Sequence, residues 1–217
     1  MGSGIFFPVI SLFYSILLIV LYFKSKRIKN KTLKLLILVN FIGLVTELLC
    51  SFAAFNITKM PILSKFILKF YLVYLISWIM LFTKYISNIS ETKINRIKYE
   101  KIIYILSCIA VMILPIYLVN KGEIRYTYGP GVSLVYGLSL AFIIYCLLLM
   151  FFNINKKVAS RYSSLFILTT LGAVAMIIQS TYPGLLLITS VATFVTFIMY
   201  FTTLNNEVIL KLEKEKK

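Results

Sequence analysis

The residues encode an all-α, polytopic membrane helix bundle of about seven transmembrane helices, with the N-terminus outside and the C-terminus cytoplasmic. Four observations lead there. Hydrophobic residues fill 60% of the 217 positions and charged residues only 14%, with a mean hydropathy of +0.94, whereas a soluble domain is about half apolar. Several continuous apolar runs of about 18 or more residues are each long enough to cross a hydrocarbon core. The runs are unbroken rather than alternating, which favours helices over a strand-built barrel. Finally, Lys and Arg gather in short clusters between the runs, the pattern that marks the cytoplasmic side.

The first span covers about Ile5 to Phe23, with Pro8 in its first turn, where a missing N–H costs little. Lys24, Lys26, Arg27, Lys29, Lys31 and Lys34 follow at once and make the first loop cytoplasmic. The second span, about Leu35 to Phe55, carries Asn40 and Glu47 and leads to a short outer loop, Asn56 to Ser64. The third, about Lys65 to Tyr85, starts with Lys65 and Lys69, whose long stems snorkel outward. An inner loop, Ile86 to Lys101, is again basic. The fourth span is about Ile102 to Val119, followed by a polar outer loop, Asn120 to Val132. The fifth is about Ser133 to Phe152, and Lys156, Lys157 and Arg161 mark the third inner loop. The sixth, about Ser164 to Tyr182, and the seventh, about Leu185 to Leu204, are joined by a tight Thr181-Tyr182-Pro183-Gly184 turn. In this topology only Lys59, Lys65, Lys69, Lys121 and Arg125 of the 23 basic residues fall outside. No internal repeat is evident, which weighs against transporter architectures.

The composition excludes much chemistry. The chain has no His and no Asp, so it holds no histidine phosphoacceptor, no Ser-His-Asp triad and no His-based metal site. No catalytic residue, metal site or cofactor is expected, and the chain itself is not read as an enzyme. Cys50, Cys108 and Cys146 lie apart inside spans and form no CxxC pair. The net charge of +16 sits between spans rather than on one face, which argues against nucleic acid.

A few polar residues stand out. Glu47 is the only acidic residue well inside a span, and ionisable groups at that depth are costly and commonly functional. It is expected to pair with Lys69 on the next helix, to meet a ligand, or to be bonded to a neighbouring helix. Asn40 reads as packing glue; Gln179, near the Tyr182-Pro183-Gly184 turn, reads equally as glue or as a gating residue, and Lys69 and Tyr182 join it as ligand or gating candidates. Arg125, Tyr126 and Tyr128, in the Arg125-to-Gly131 stretch, form the densest polar-aromatic cluster outside, a lip for a small molecule or peptide, or else an interfacial belt with a turn. After Leu204, Val208, Ile209 and Leu212 make a sparse apolar stripe among charges of both signs, as at the start of a coiled coil.

The stretches PVISLFYSILLIVLYFKSKRI, KLLILVNFIGLVTELLC, YLVYLISWIMLFTKYI, YTYGPGVSLVYGLS and IIQSTYPGLLLITSVATFVTFIMYFT resemble the multi-spanning N-terminal sensor domains of bacterial sensor histidine kinases, often hybrid kinases, from low-GC Gram-positive lineages. The resemblance rests most on Tyr128-Gly129-Pro130, on Gln179 with Pro183, and on the exit helix. It implies a sensor domain over residues 1–204 and the start of a cytoplasmic signalling helix over 205–217. Asn205, Glu207, Ile209 and Leu212 would transmit the signal to a kinase or other output domain in cis. It also implies a homodimer through that helix, an unidentified small-molecule or peptide signal, and residence in the bacterial plasma membrane. Thr203-Leu204-Asn205-Asn206-Glu207 stands where the family has an Asn-Pro-Asp-like step. On this reading the chain is the receiving half of a longer protein, or a stand-alone relative of one. The alternative is a small transporter or channel-like protein.

Overall fold

The computed structural model describes residues 6–25, 30–89, 94–121, 124–152, 159–182 and 186–215. Among them are seven helices and one β-hairpin: α1 (Phe6–Lys24), α2 (Lys31–Phe55), α3 (Pro61–Ile89), α4 (Ile94–Ile113), β1 (Tyr117–Lys121), β2 (Ile124–Tyr128), α5 (Pro130–Phe152), α6 (Ala159–Thr181) and α7 (Ile188–Glu215). Phe6–Lys24, Lys31–Phe55, Pro61–Ile89, Pro130–Phe152 and Ile188–Asn205 are long and apolar enough to cross a membrane, and Leu165–Thr181 is a shorter apolar helix. Large apolar side chains such as Phe13, Leu106 and Phe152 point away from the bundle, an arrangement compatible with a membrane protein.

Local chemistry sets several boundaries. Asn30 caps α2, its Oδ1 accepting from Thr32 N at 3.0 Å and Leu33 N at 3.2 Å. Pro61 and Pro130 occupy the first helical positions of α3 and α5, where no N–H is needed. Gly129 has φ 120°, a conformation that suits glycine, and turns β2 into α5.

The fourth helix departs from expectation. It was expected over 102–119, but α4 begins at Ile94, within the expected inner loop, and ends at Ile113. Pro115 disfavours helix at the residue before it and removes an N–H. The chain then enters β1, and the expected outer loop is largely a hairpin in register from Tyr117↔Tyr128 to Lys121↔Ile124. The fold is thus a helical bundle carrying one two-stranded ribbon. Residues 183–185, with Pro183 and Gly184 of the expected turn, and Lys156 and Lys157 lie outside the described residues.

Contacts close five helices into a ring, α2–α3–α5–α6–α7 and back to α2. α1 lies outside in the groove between α2 and α7, and α4 in the groove between α3 and α5. One core cluster, around Leu36, Phe82, Ile86, Cys146 and Met199, fills the half toward the C-terminal end of α7. A second, around Leu72, Ile76, Val111 and Val135, fills the half beneath the hairpin.

Candidate functional site

The site lies inside the ring, where α7 begins. On α2, Asn40, Gly43 and Glu47 share one face by helical spacing, and all three are buried. Gly43 makes room for the Tyr74 ring of α3: a Cβ there would fall 1.9 Å from Tyr74 Cε2. With α2 and α3 this close, Glu47 is only 1% exposed. The Tyr71 hydroxyl donates to Glu47 Oε1 at 2.9 Å and bonds Thr189 Oγ1 of α7 at 3.1 Å. One turn further along α7, Asn40 Nδ2 donates to Thr193 Oγ1 at 2.9 Å. Three helices therefore meet through two hydroxyl-centred junctions. Glu47 Oε2, Asn40 Oδ1 and the Tyr74 hydroxyl are buried without a hydrogen-bond partner among the described residues.

Gln179 of α6 closes the same end of the ring. Its Oε1 accepts from both Leu187 N and Ile188 N at 2.8 Å. These N–H groups at the start of α7 have no intrahelical carbonyl to bond, so a residue of the preceding helix acts as the cap. Tyr136 of α5 lies beside the Gln179 side chain. Gln179, Tyr136, Tyr71, Glu47 and Thr189 thereby surround the first turn of α7.

Inside the collar lies a cavity of about 50 Å³, walled by α3, α5, α6 and α7. Its lining is mostly apolar, with Trp78, Phe82, Ile143, Met176 and Val195 among the walls. Trp78 Nε1 is buried there without a partner among the described residues. α3 and α7 face each other across this gap and are tied at both ends. Tyr71 bonds Thr189 at one end, and the Tyr85 hydroxyl bonds Thr203 Oγ1 at 2.8 Å at the other. The two ties are fourteen residues apart on each helix, close to four helical turns, so they lie on the same face.

The residues singled out from sequence divide into groups. Glu47 and Gln179 come together at the start of α7. Lys69 does not join them: its Nζ donates to the Met112 carbonyl. Met112 lies in the last turn of α4, whose carbonyls lack partners and attract a cation, so the expected Glu47–Lys69 pair gives way to Glu47–Tyr71. Tyr126 is partly buried and Tyr128 half-exposed on β2, away from the collar. Arg125 pairs across the ribbon with Asn120, and its side chain lies outside the described residues. Tyr182 is exposed just beyond α6. Asn205 sits within α7, which passes the expected domain boundary without a break. The side chains of Glu207, Ile209 and Leu212 lie outside the described residues.

Tyr71, Tyr136, Thr189 and Thr193 were missed from sequence. A signal was present: Thr189, Thr193, Thr196 and Thr203 repeat at helical spacing on one face of the seventh span. No family model, curated protein or solved structure matches this chain.

Proposed function

We propose that the protein is a membrane signal-input module whose output element is α7. The observation that carries this reading is convergence on one helix. Three inter-helix polar contacts inside the ring, those of Tyr71, Asn40 and Gln179, end on the first two turns of α7 or the residue before them. α7 then runs from this collar through Asn205 to Glu215 without interruption. A change at the collar therefore acts on the same rigid element that forms the charged tail. Helix shifts of about 1–2 Å are a common switching movement in packed bundles, and a signal drives one only through differential affinity for two packings.

The basic clusters support a cytoplasmic tail and an outer hairpin, and on this reading α4 and α6 complete seven spans. The resemblance to sensor histidine kinase input domains supplies the partner: a cytoplasmic kinase or related output domain in cis, dimerised through the α7 extension in a bacterial plasma membrane. The transporter alternative has less support, because the central cavity is small and its lining mostly apolar.

The test joins the tail in helical register to a histidine-kinase core and measures autophosphorylation in membranes. Gln179→Ala and Thr189→Val should each change the rate several-fold without lowering the amount of folded protein. Equal rates for all variants would reject the reading. Solute flux through protein-loaded liposomes would favour the transporter instead.

A further inference from the structure

A second cavity lies at the hairpin end of the bundle, and its lining, which includes Tyr128, defines the chemical class of a ligand. It measures about 540 Å³, within the range of about 300–1,000 Å³ usual for small-molecule sites. The central cavity, at about 50 Å³, is roughly a tenth of that, so of the two only the hairpin cavity has room for a metabolite-sized ligand. Phe55 at the end of α2, Leu68 of α3 and Ile116 before β1 give it an apolar wall. Leu68 and Ile116 are themselves buried, so the wall belongs to the core and is in place without a ligand.

The ribbon supplies the other side. Tyr117 and Tyr128 are directly opposed in the register, with ring centroids 5.4 Å apart, and both line the cavity. Cross-strand aromatic pairs stabilise a short ribbon, and this one also presents two phenol rings to the cavity. Gly129 fixes their placement. A Cβ there would lie 3.0 Å from Tyr117 Cδ2 and 3.1 Å from the Pro115 carbonyl.

Lys65 of α3 also lines the cavity. Its ammonium has no hydrogen-bond or ion-pair partner among the described residues, and no described Asp or Glu lines the site. An apolar wall, an aromatic pair and an unpaired cation together define complementary chemistry. We infer that this cavity binds a small amphipathic anion, a carboxylate with a short aliphatic or aromatic body. The carboxylate meets Lys65 and the apolar body lies against Leu68, Ile116 and the tyrosine pair. The inference goes beyond the signalling reading, since binding is measured without any output.

Octanoate is a suitable probe and octanamide its uncharged counterpart. Each is titrated by equilibrium dialysis against the full chain in nanodiscs of zwitterionic lipid, with empty nanodiscs as the partition control. Octanoate should bind saturably and at least several-fold more tightly than octanamide. Lys65→Met should weaken octanoate by about tenfold, the size expected for a lost charge-assisted bond, and leave octanamide unchanged. Lys65→Arg should keep the preference, and Tyr128→Ala should weaken both probes alike. Lys65 and Tyr128 are exposed enough that these variants leave the core intact, and a wild-type gel-filtration profile confirms it. Equal binding of the two probes, or an unaltered octanoate affinity in Lys65→Met, overturns the inference. So does loss of octanoate binding when anionic phospholipid replaces zwitterionic lipid, because the cavity would then seat a lipid headgroup.

Discussion

Two tyrosines three residues apart on α3 carry opposite consequences. Tyr71 donates a hydroxyl hydrogen bond to Glu47 and is bonded to Thr189, whereas the Tyr74 hydroxyl is buried without a partner among the described residues. A buried polar group costs little to remove when it is unpaired and more when its partners are left behind. Tyr71→Phe should therefore destabilise the fold by about 1–3 kcal/mol, while Tyr74→Phe should be neutral or mildly stabilising. Thermal unfolding in detergent reads both, and equal losses would contradict this assignment. Gly43→Ala should cost about 1–3 kcal/mol by forcing the Tyr74 ring off α2. Gln179→Ala leaves two N–H groups at the start of α7 without their acceptor and should cost about 1–2 kcal/mol. Its further mark should be faster hydrogen exchange confined to the start of α7. Glu47 and Gln179 were legible in the sequence because polar residues are conspicuous in apolar runs. Their partners were not, since a Tyr or Thr in a span looks the same whether it packs, faces lipid or bonds across the bundle.

Among the helices, α3 and α7 form the informative pair. They face each other across the central cavity, with α2 between them in the ring, and hydroxyl pairs close to four turns apart tie them at Tyr71–Thr189 and Tyr85–Thr203. A double-mutant cycle of Tyr85→Phe with Thr203→Val should return a coupling of about 0.5–1.5 kcal/mol, and additivity would mean the second tie contributes nothing. Most helices were readable because spans of apolar residues leave little choice of structure. α4 was not, because its first turns are basic and polar and its stop is set by one proline. The hairpin escaped for a related reason. IRYTY is rich in strand-forming residues, but two five-residue strands beside long apolar runs read as loop until the opposed tyrosines and Gly129 are seen together.

For the molecule as a whole, the ring α2–α3–α5–α6–α7 divides the labour between its ends. The hairpin end holds the larger cavity with its cationic and aromatic lining. The collar of Glu47, Tyr71, Gln179 and Thr189 lies at the start of α7, and the far end is the charged stretch of that same helix. On the signalling reading proposed above, the collar sets the position of the tail. Spin labels at Phe152 of α5 and Asn205 of α7, both exposed at the tail end of the bundle, report that position in a background with Cys50, Cys108 and Cys146 replaced by alanine. The interspin distance distribution is measured for the parent chain and for Gln179→Ala and Thr189→Val. A shift of about 1–2 Å, the size of a helix displacement, is expected in variants that remain folded. Superimposable distributions in folded variants would contradict it: the collar would then hold the bundle together without steering the tail.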